Sequence, residues 1–319
     1  MSTVTEKSEI LFLYESTYSI PNGDPFTGEQ RYDEETKKVL VSDVRIKRFI
    51  RDYLIGTGEK IFVWNDQSNM EANESGAAGR VKSLKKEFAT DESVLKEVKK
   101  GNKTEKVIDS LRLLTKCVDV RLFGGISTEE GDAVNLTGPV QFSLLSPSLN
   151  EVDMRLHQNT SQFVSKGGNK QGAIGTTTIV PYALLQIHGW INPKSAEKTG
   201  LSDADVKLMF NGLWNSINDA NTRTKSNQNA TLLLQIIYAQ NKSKIYGADR
   251  LIKIDTTKEG NQEQKRGEQL RSIDDYSLNF DALITAAASE KVAEIRFYTE
   301  HEGLKKQLLG KSKFVEMSI

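Results

Sequence analysis

EILFLYESTYSI (9–20), running directly into PNGDP (21–25), sets the architecture of this chain. The first stretch is apolar, aromatic and β-branched, the composition of a strand buried in a sheet. The second ends it. Asn22 and Gly23 tolerate positive φ, and the flanking Pro21 and Pro25 stop helices, so a tight turn is predicted. FTGEQRYDEETKKVL (26–40) reads as a polar loop. Ser42 then caps a helix predicted over 43–55, with Asp43 in its first turn, where a carboxylate meets the positive end of the helix dipole.

At 100° per residue, Ile46, Ile50, Tyr53 and Leu54 share one arc of that helix and face the core. Arg45, Lys47, Arg48 and Arg51 spread over the opposite half, with Asp52 the only acid among them. Such a row of cations serves either a solvated face or a phosphate backbone. Residues 60–116 are polar and highly charged, with helical periodicity in 80–100 and 103–115, and are expected as a helical insertion. Strand character returns at CVDVRLF (117–123), followed by Gly124 and Gly125, at LTGPVQFSLL (136–145) and at IVPYALLQIHGWI (179–191). A helix over 203–218 buries Val206, Phe210, Leu213 and Ile217. TLLLQIIYA (231–239), KIYGADRLIKID (244–255) and AEIRFYTE (293–300) read as further strands. Strands interleaved with helices, with long excursions between them, specify an α+β sheet with insertions.

The 319 residues carry 43 Lys+Arg against 43 Asp+Glu, with three histidines and one cysteine. A lone Cys117 excludes a disulfide framework and every thiolate zinc site, and fits a reducing cytosol. No apolar run approaches the ~18 residues of a membrane span, and MSTVTEKSEI lacks the apolar stretch of a signal peptide. A cytoplasmic protein with no membrane partner is expected. Zero net charge means that any nucleic-acid binding rests on local charge separation.

That separation is visible in position. Met154 to Ala196 contains no Asp or Glu, yet carries Arg155, Lys166, Lys170 and Lys194. Ala220 to Ala248 is also acid-free and carries Arg223, Lys225, Lys242 and Lys244. Ile174 to Trp190 lacks charge partly as an apolar strand would. His157 to Thr178 does not: HQNTSQFVSKGGNKQGAIGTTT is rich in amides, hydroxyls and glycine, groups that hydrogen-bond phosphates and ribose hydroxyls without a repelling carboxylate.

Other chemistries find no support. His157, His188 and His301 lack metal-ligand spacing, there is no G-x-S-x-G elbow, and GGNKQG is not a dinucleotide fingerprint. Gly310-Lys311-Ser312 lacks the upstream glycine of a phosphate loop. Asp24, Asp33 and Asp43 lie close enough in sequence to hold Mg²⁺, although turn and capping duties account for Asp24 and Asp43. No catalytic constellation and no cofactor are expected.

PNGDP (21–25), RYDEET…LVSDVRIKRFIRDY (31–53), DVRLFGG (119–125), LTGPVQFS (136–143) and IVPYALLQIHGWI (179–191) together resemble one family, in that family's order. It is the repeated backbone subunit of type I CRISPR Cascade surveillance complexes, subtype I-B or I-C, in the RAMP superfamily of antiviral defence proteins. The resemblance implies a modified ferredoxin-like (RNA-recognition-like) palm as a single domain over 1–319. It implies a helical web insertion at 60–116 and a β-hairpin thumb at 154–178. Family members bind CRISPR RNA without cleaving it, polymerise along its spacer as a helical filament with further copies and other Cascade subunits, and present its bases to a target DNA strand. The implied guide contacts are Asn22 and Gly23 in the turn, and Arg45, Lys47, Arg48 and Arg51 on the helix. Arg155, Lys166 and Lys170 serve the thumb, with Leu156 as its apolar wedge, and Arg223 and Lys225 join from the second acid-free stretch. Gly124 and Gly125 allow close approach of RNA. Two departures stand out: Lys37-Lys38-Val39 where relatives often have a glycine turn, and Thr176–Thr178 where they carry basic residues. The alternative is a metal-dependent endoribonuclease like the type III relatives, with Asp24 or Asp33 as the loop aspartate.

Overall fold

The computed structural model describes residues 2–64, 76–100, 103–127, 133–160, 174–257 and 264–319. The run at 9–20 forms the expected strand, β1 (Ser8–Ser19), buried over nearly its whole length. It is buried because it lies inside a seven-stranded sheet. The other strands are β2 (Val140–Phe142), β3 (Arg155–Thr160), β4 (Ile174–Ile191), β5 (Gln228–Tyr238), β6 (Val292–Tyr298) and β7 (Phe314–Glu316). Their order is β3-β4-β1-β5-β6-β7, with β2 against the C-terminal end of β4. All pairs are antiparallel except β6–β7.

Both faces of the sheet are covered. Alternation along β1 sends Ile10, Phe12 and Tyr14 into one core and Leu11 and Leu13 into another. The first core is closed by two helices, α1 (Asp43–Gly56) and α2 (Asp203–Asn218). Ser42 caps α1, its hydroxyl accepting from the Arg45 N–H at 3.4 Å. The helix buries Ile46, Phe49, Ile50 and Leu54. Tyr53, expected in the core, is instead half-buried and donates its hydroxyl to Asn211 Oδ1 at 2.7 Å, bridging α1 to α2. Val206, Phe210, Leu213 and Ile217 of α2 are buried as the periodicity predicts.

Several local expectations are corrected. The insertion is helical at Gly76–Glu87 and Ser110–Leu114, but Leu95–Lys100 and Lys103–Ile108 pair as an antiparallel hairpin. Its arms are almost entirely exposed or half-exposed, so cross-strand pairing decides their conformation rather than an apolar stripe. Val118–Phe123 is a helix, not a strand. It is buried on nearly every side, and a short apolar run of that kind carries no periodicity to separate the two states. The insertion shares a small core with the segments that follow it, made of Phe62, Val81, Leu84, Val94, Leu113 and Leu114 together with Cys117, Val120 and Val134. Within 244–255 only Lys253–Asp255 is strand, because Gly247 at φ +66° turns the chain into a short 3-10 segment. The stretch read as a loop at 26–40 contains Tyr32–Asp33 paired with Lys38–Ser42.

β4 outruns β1. Their register ends at Ser19↔Val180, and the preceding residues Ile174–Ile179 pair with β3 alone. A two-stranded arm therefore projects from the sheet where β1 enters its turn. Lys166 and Lys170, in the segment joining β3 to β4, lie outside the described residues. Among the described residues no helix is long and apolar enough to cross a membrane.

Candidate nucleic-acid interface

The turn after β1 and the start of α1 are fastened together by Asn22. This residue is 6% exposed, and its Oδ1 accepts from both the backbone N–H (2.6 Å) and the hydroxyl (2.8 Å) of Ser42. Its own N–H donates to Gln30 Oε1 at 2.8 Å. The Asn22 amide thus locks the turn onto the helix cap. At Gly23 a Cβ would stand 3.3 Å from the Gly28 carbonyl oxygen, so glycine serves the closure of the loop.

The four cations of α1 divide sharply. Lys47 is 3.0 Å from Asp43 Oδ2 and donates to Gln141 Oε1 at 3.2 Å. Arg51 Nε is 2.9 Å from Oδ2 of the fully buried Asp119. Arg48 pairs with Asp52 at 2.6 Å on the exposed side. Arg45 is the exception. Its guanidinium lies 3.7 Å from the centroid of the Phe49 ring, and its Nε finds no hydrogen-bond partner among the described residues.

Lys225 comes to the same place from a distant part of the chain. Its ammonium donates to the Ile20 carbonyl. Burial, reinforced by repulsion from Arg45, pushes its pKa down to about 8. Burial also works against the charge of Arg45. The hydroxyl of the fully buried Tyr14, close enough to Arg45 to feel its charge, has no hydrogen-bond partner among the described residues. Among those residues neither cation has a carboxylate within ion-pair distance, unlike Lys47, Arg48 and Arg51. Two half-buried cations and a hydroxyl without a hydrogen-bond partner among the described residues thus lie close together.

Beside it opens a cleft of about 990 Å³. It is lined by His157, Asn159 and Thr177 of the projecting arm, by Arg223 and Thr224, and by Tyr18–Ile20. Ile20 belongs to both places: it lines the cleft, its carbonyl holds Lys225, and its N–H donates to the Thr224 carbonyl at 2.8 Å. None of the described lining residues is acidic.

Other expected contacts fall elsewhere. Arg155 lines a separate depression of about 530 Å³ with Glu29, Glu34 and Asp153. Leu156 is 68% exposed on β3. Gly124 has φ +81°, and a Cβ there would stand 2.0 Å from the Leu136 carbonyl oxygen, so its close approach is to its own chain. The nearest atoms to a Cβ on Gly125 belong to Val120 and Phe62, at ordinary contact distance. Asp24 accepts from the Phe26 N–H at 2.9 Å and pairs with Arg31 at 3.0 Å, which together hold its carboxyl below the usual range. The Thr36 hydroxyl, donating to Asp33 at 2.7 Å, does the same there. Among the described residues no group of three or more His, Cys, Asp and Glu is placed to hold a metal. Tyr14 and Tyr18 carry no motif, and only their place on the strand entering the PNGDP turn marks them.

The protein is thus an α/β body with a projecting two-stranded arm and, near the turn that follows β1, two half-buried cations, Arg45 and Lys225. The family model for CRISPR-associated protein Cas7 matches residues 6–281, and the chain belongs to that family. It is 28% identical over 314 residues to the Haloferax volcanii protein described as CRISPR-associated protein Cas7, covering 92% of this chain and 85% of that one. Two solved structures share the fold. A chain of a CRISPR RNA-guided surveillance complex, pre-nicking, matches with TM-score 0.52 and 12% identity over 98% of this chain and 96% of its own. A chain of a CRISPR RNA-guided surveillance complex matches with TM-score 0.50 and 13% identity over 98% and 95%.

Proposed function

We propose that this chain is a non-catalytic backbone subunit of a type I Cascade complex, polymerising along the spacer of a CRISPR RNA. It grips ribose and phosphate and leaves the base edges free to pair with a target DNA strand. The body formed by the seven-stranded sheet acts as the palm, the insertion at 60–116 as the web, and the β3–β4 arm as the thumb with Leu156 as its wedge. Family membership and the surveillance-complex relatives support the assembly. The observation that carries the RNA reading is the Arg45–Lys225 pair, two half-buried cations with no carboxylate within ion-pair distance among the described residues.

Guides differ in every base and share only a backbone, so the contacts must be blind to sequence. Selection of the target then belongs to Watson–Crick pairing, as in RNA-guided recognition generally. Arg45, Lys225, Arg48 and Arg223 are the cations assigned to phosphates. Lys47 and Arg51 are assigned to holding the helix and the insertion in place, since each is bound to a carboxylate.

The test measures affinity for two single-stranded RNAs of unrelated sequence. Arg45→Ala and Lys225→Ala should weaken binding of both equally, each lowering the slope of log K against log salt by about one. Loss confined to one sequence overturns the reading. Cleavage of target RNA with Mg²⁺, abolished by Asp24→Ala or Asp33→Ala, would favour the endoribonuclease instead.

A further inference from the structure

Tyr18 is held in a backbone conformation that a tyrosine disfavours. Its φ is +47°, in the left-handed region, yet it carries a bulky side chain. The neighbours on both sides fix it there. Thr17 pairs with Tyr182 and donates its N–H to the Asn227 carbonyl at 2.9 Å, while Ser19 pairs with Val180. Strain of this kind persists where surrounding structure over-determines the backbone, and it concentrates at functional sites.

The strained position gains nothing visible in packing. The Tyr18 side chain is 57% exposed, and it lines the cleft rather than either core. Among the described residues two other aromatics are more exposed, Phe26 and Tyr246, but neither lines this cleft. The same cleft is lined by Arg223, His157, Asn159, Thr177 and Thr224. The imidazole, amide and hydroxyls can each donate or accept a hydrogen bond, so they suit any base edge. An exposed ring that shares a cleft with a cation and two-way polar groups offers an unpaired nucleobase a face to stack on, since every base has a π-face.

We propose that Tyr18 stacks on one unpaired base of the bound RNA, with Arg223 on the phosphate that follows it. This deepens the RNA-backbone reading and rests on it. The aromatic face, rather than the hydroxyl, does the work, so the ring's size and planarity are what the site requires.

The probe is a single-stranded RNA carrying 5-iodouridine, irradiated on the full-length protein and mapped by mass spectrometry, alongside equilibrium binding of the unmodified RNA. The wild type should crosslink at Tyr18. Tyr18→Leu should bind roughly 5- to 100-fold more weakly and lose the crosslink, and Tyr18→Trp should retain binding. Tyr18→Asn, which tolerates positive φ, should bind as weakly as Tyr18→Leu while unfolding at a temperature no lower than the wild type. Wild-type binding that Tyr18→Leu leaves unchanged overturns this proposal alone. Weakened binding accompanied by a lower Tm in both Tyr18→Leu and Tyr18→Asn makes the residue structural and also overturns it. A wild type that binds no RNA overturns the underlying reading instead.

Discussion

Arg51 Nε lies 2.9 Å from Oδ2 of Asp119, a carboxylate with no exposure to solvent. The same carboxylate accepts from the backbone N–H groups of Phe62 (2.7 Å) and Val63 (3.0 Å), where the chain leaves α1 for the insertion. One buried acid therefore joins the helix, the insertion and the short helix Val118–Phe123. Removing the guanidinium leaves this buried carboxylate without an ion-pair partner among the described residues, held only by the two N–H groups. Arg51→Ala should lower stability by about 3–5 kcal/mol, read as a large fall in Tm, and Arg51→Lys should recover part of it. An unchanged Tm for Arg51→Ala means that the Arg51–Asp119 pair does not hold these elements together.

Lys225 gives the proposed RNA site a pH dependence with a definite sign. In the free protein its pKa is about 8, and a bound phosphate favours the ammonium, raising the pKa in the complex. Affinity should thus be full below pH 8 and fall as pH rises through 8, by up to tenfold per unit until the bound-state value is reached. Folding shows the opposite trend: burial depresses the folded-state pKa below the unfolded one, so this group's contribution to stability rises with pH between about 8 and 10.5. Lys225→Arg, permanently charged, should flatten the affinity profile between pH 7 and 10. A profile identical in both proteins excludes Lys225 from the site.

The main strand, the capped helix and α2 were legible because each carries a clean physical signal: a β-rich run ended by Asn-Gly, a Ser cap, and apolar residues at helical spacing. Val118–Phe123 was not, since a buried six-residue element shows no face to solvent and so no period. The roles of the α1 cations were only half legible. Sequence shows Asp43 and Asp52 at helical spacing from Lys47 and Arg48, but Asp119 reaches Arg51 only through the fold. The convergence of Arg45 with Lys225, and the exposed ring of Tyr18, depend on long-range pairing that no local pattern encodes.

Gly124 and Gly125 look alike in sequence and should behave oppositely. At Gly124 a side chain meets the Leu136 carbonyl oxygen at 2.0 Å and the Gly138 nitrogen at 2.4 Å, on a backbone with φ +81°. Nothing flexible can yield, because both contacts are backbone. Gly124→Ala should cost about 3 kcal/mol or more, whereas Gly125→Ala, whose nearest contact is 3.5 Å, should change stability by less than about 1 kcal/mol. Chemical denaturation of the two variants separates them; equal midpoints would show that the approach between these segments is not tight.

Lys47 and Arg48 are adjacent on α1 and carry the same charge, yet only one should matter to RNA. Lys47 is 14% exposed and shared between Asp43 and Gln141, so its charge is already neutralised inside the protein. Arg48 is 61% exposed, and an ion pair with the half-exposed Asp52 holds it by at most ~1 kcal/mol, little enough for a phosphate to compete. Arg48→Ala should leave the unfolding free energy within about 0.5 kcal/mol of the wild type and reduce the salt slope of RNA binding by about one. Lys47→Ala should do the reverse, lowering stability while leaving the slope intact. If both variants flatten the slope equally, the Lys47–Asp43 pair opens on binding, and the whole basic half of α1 faces the guide.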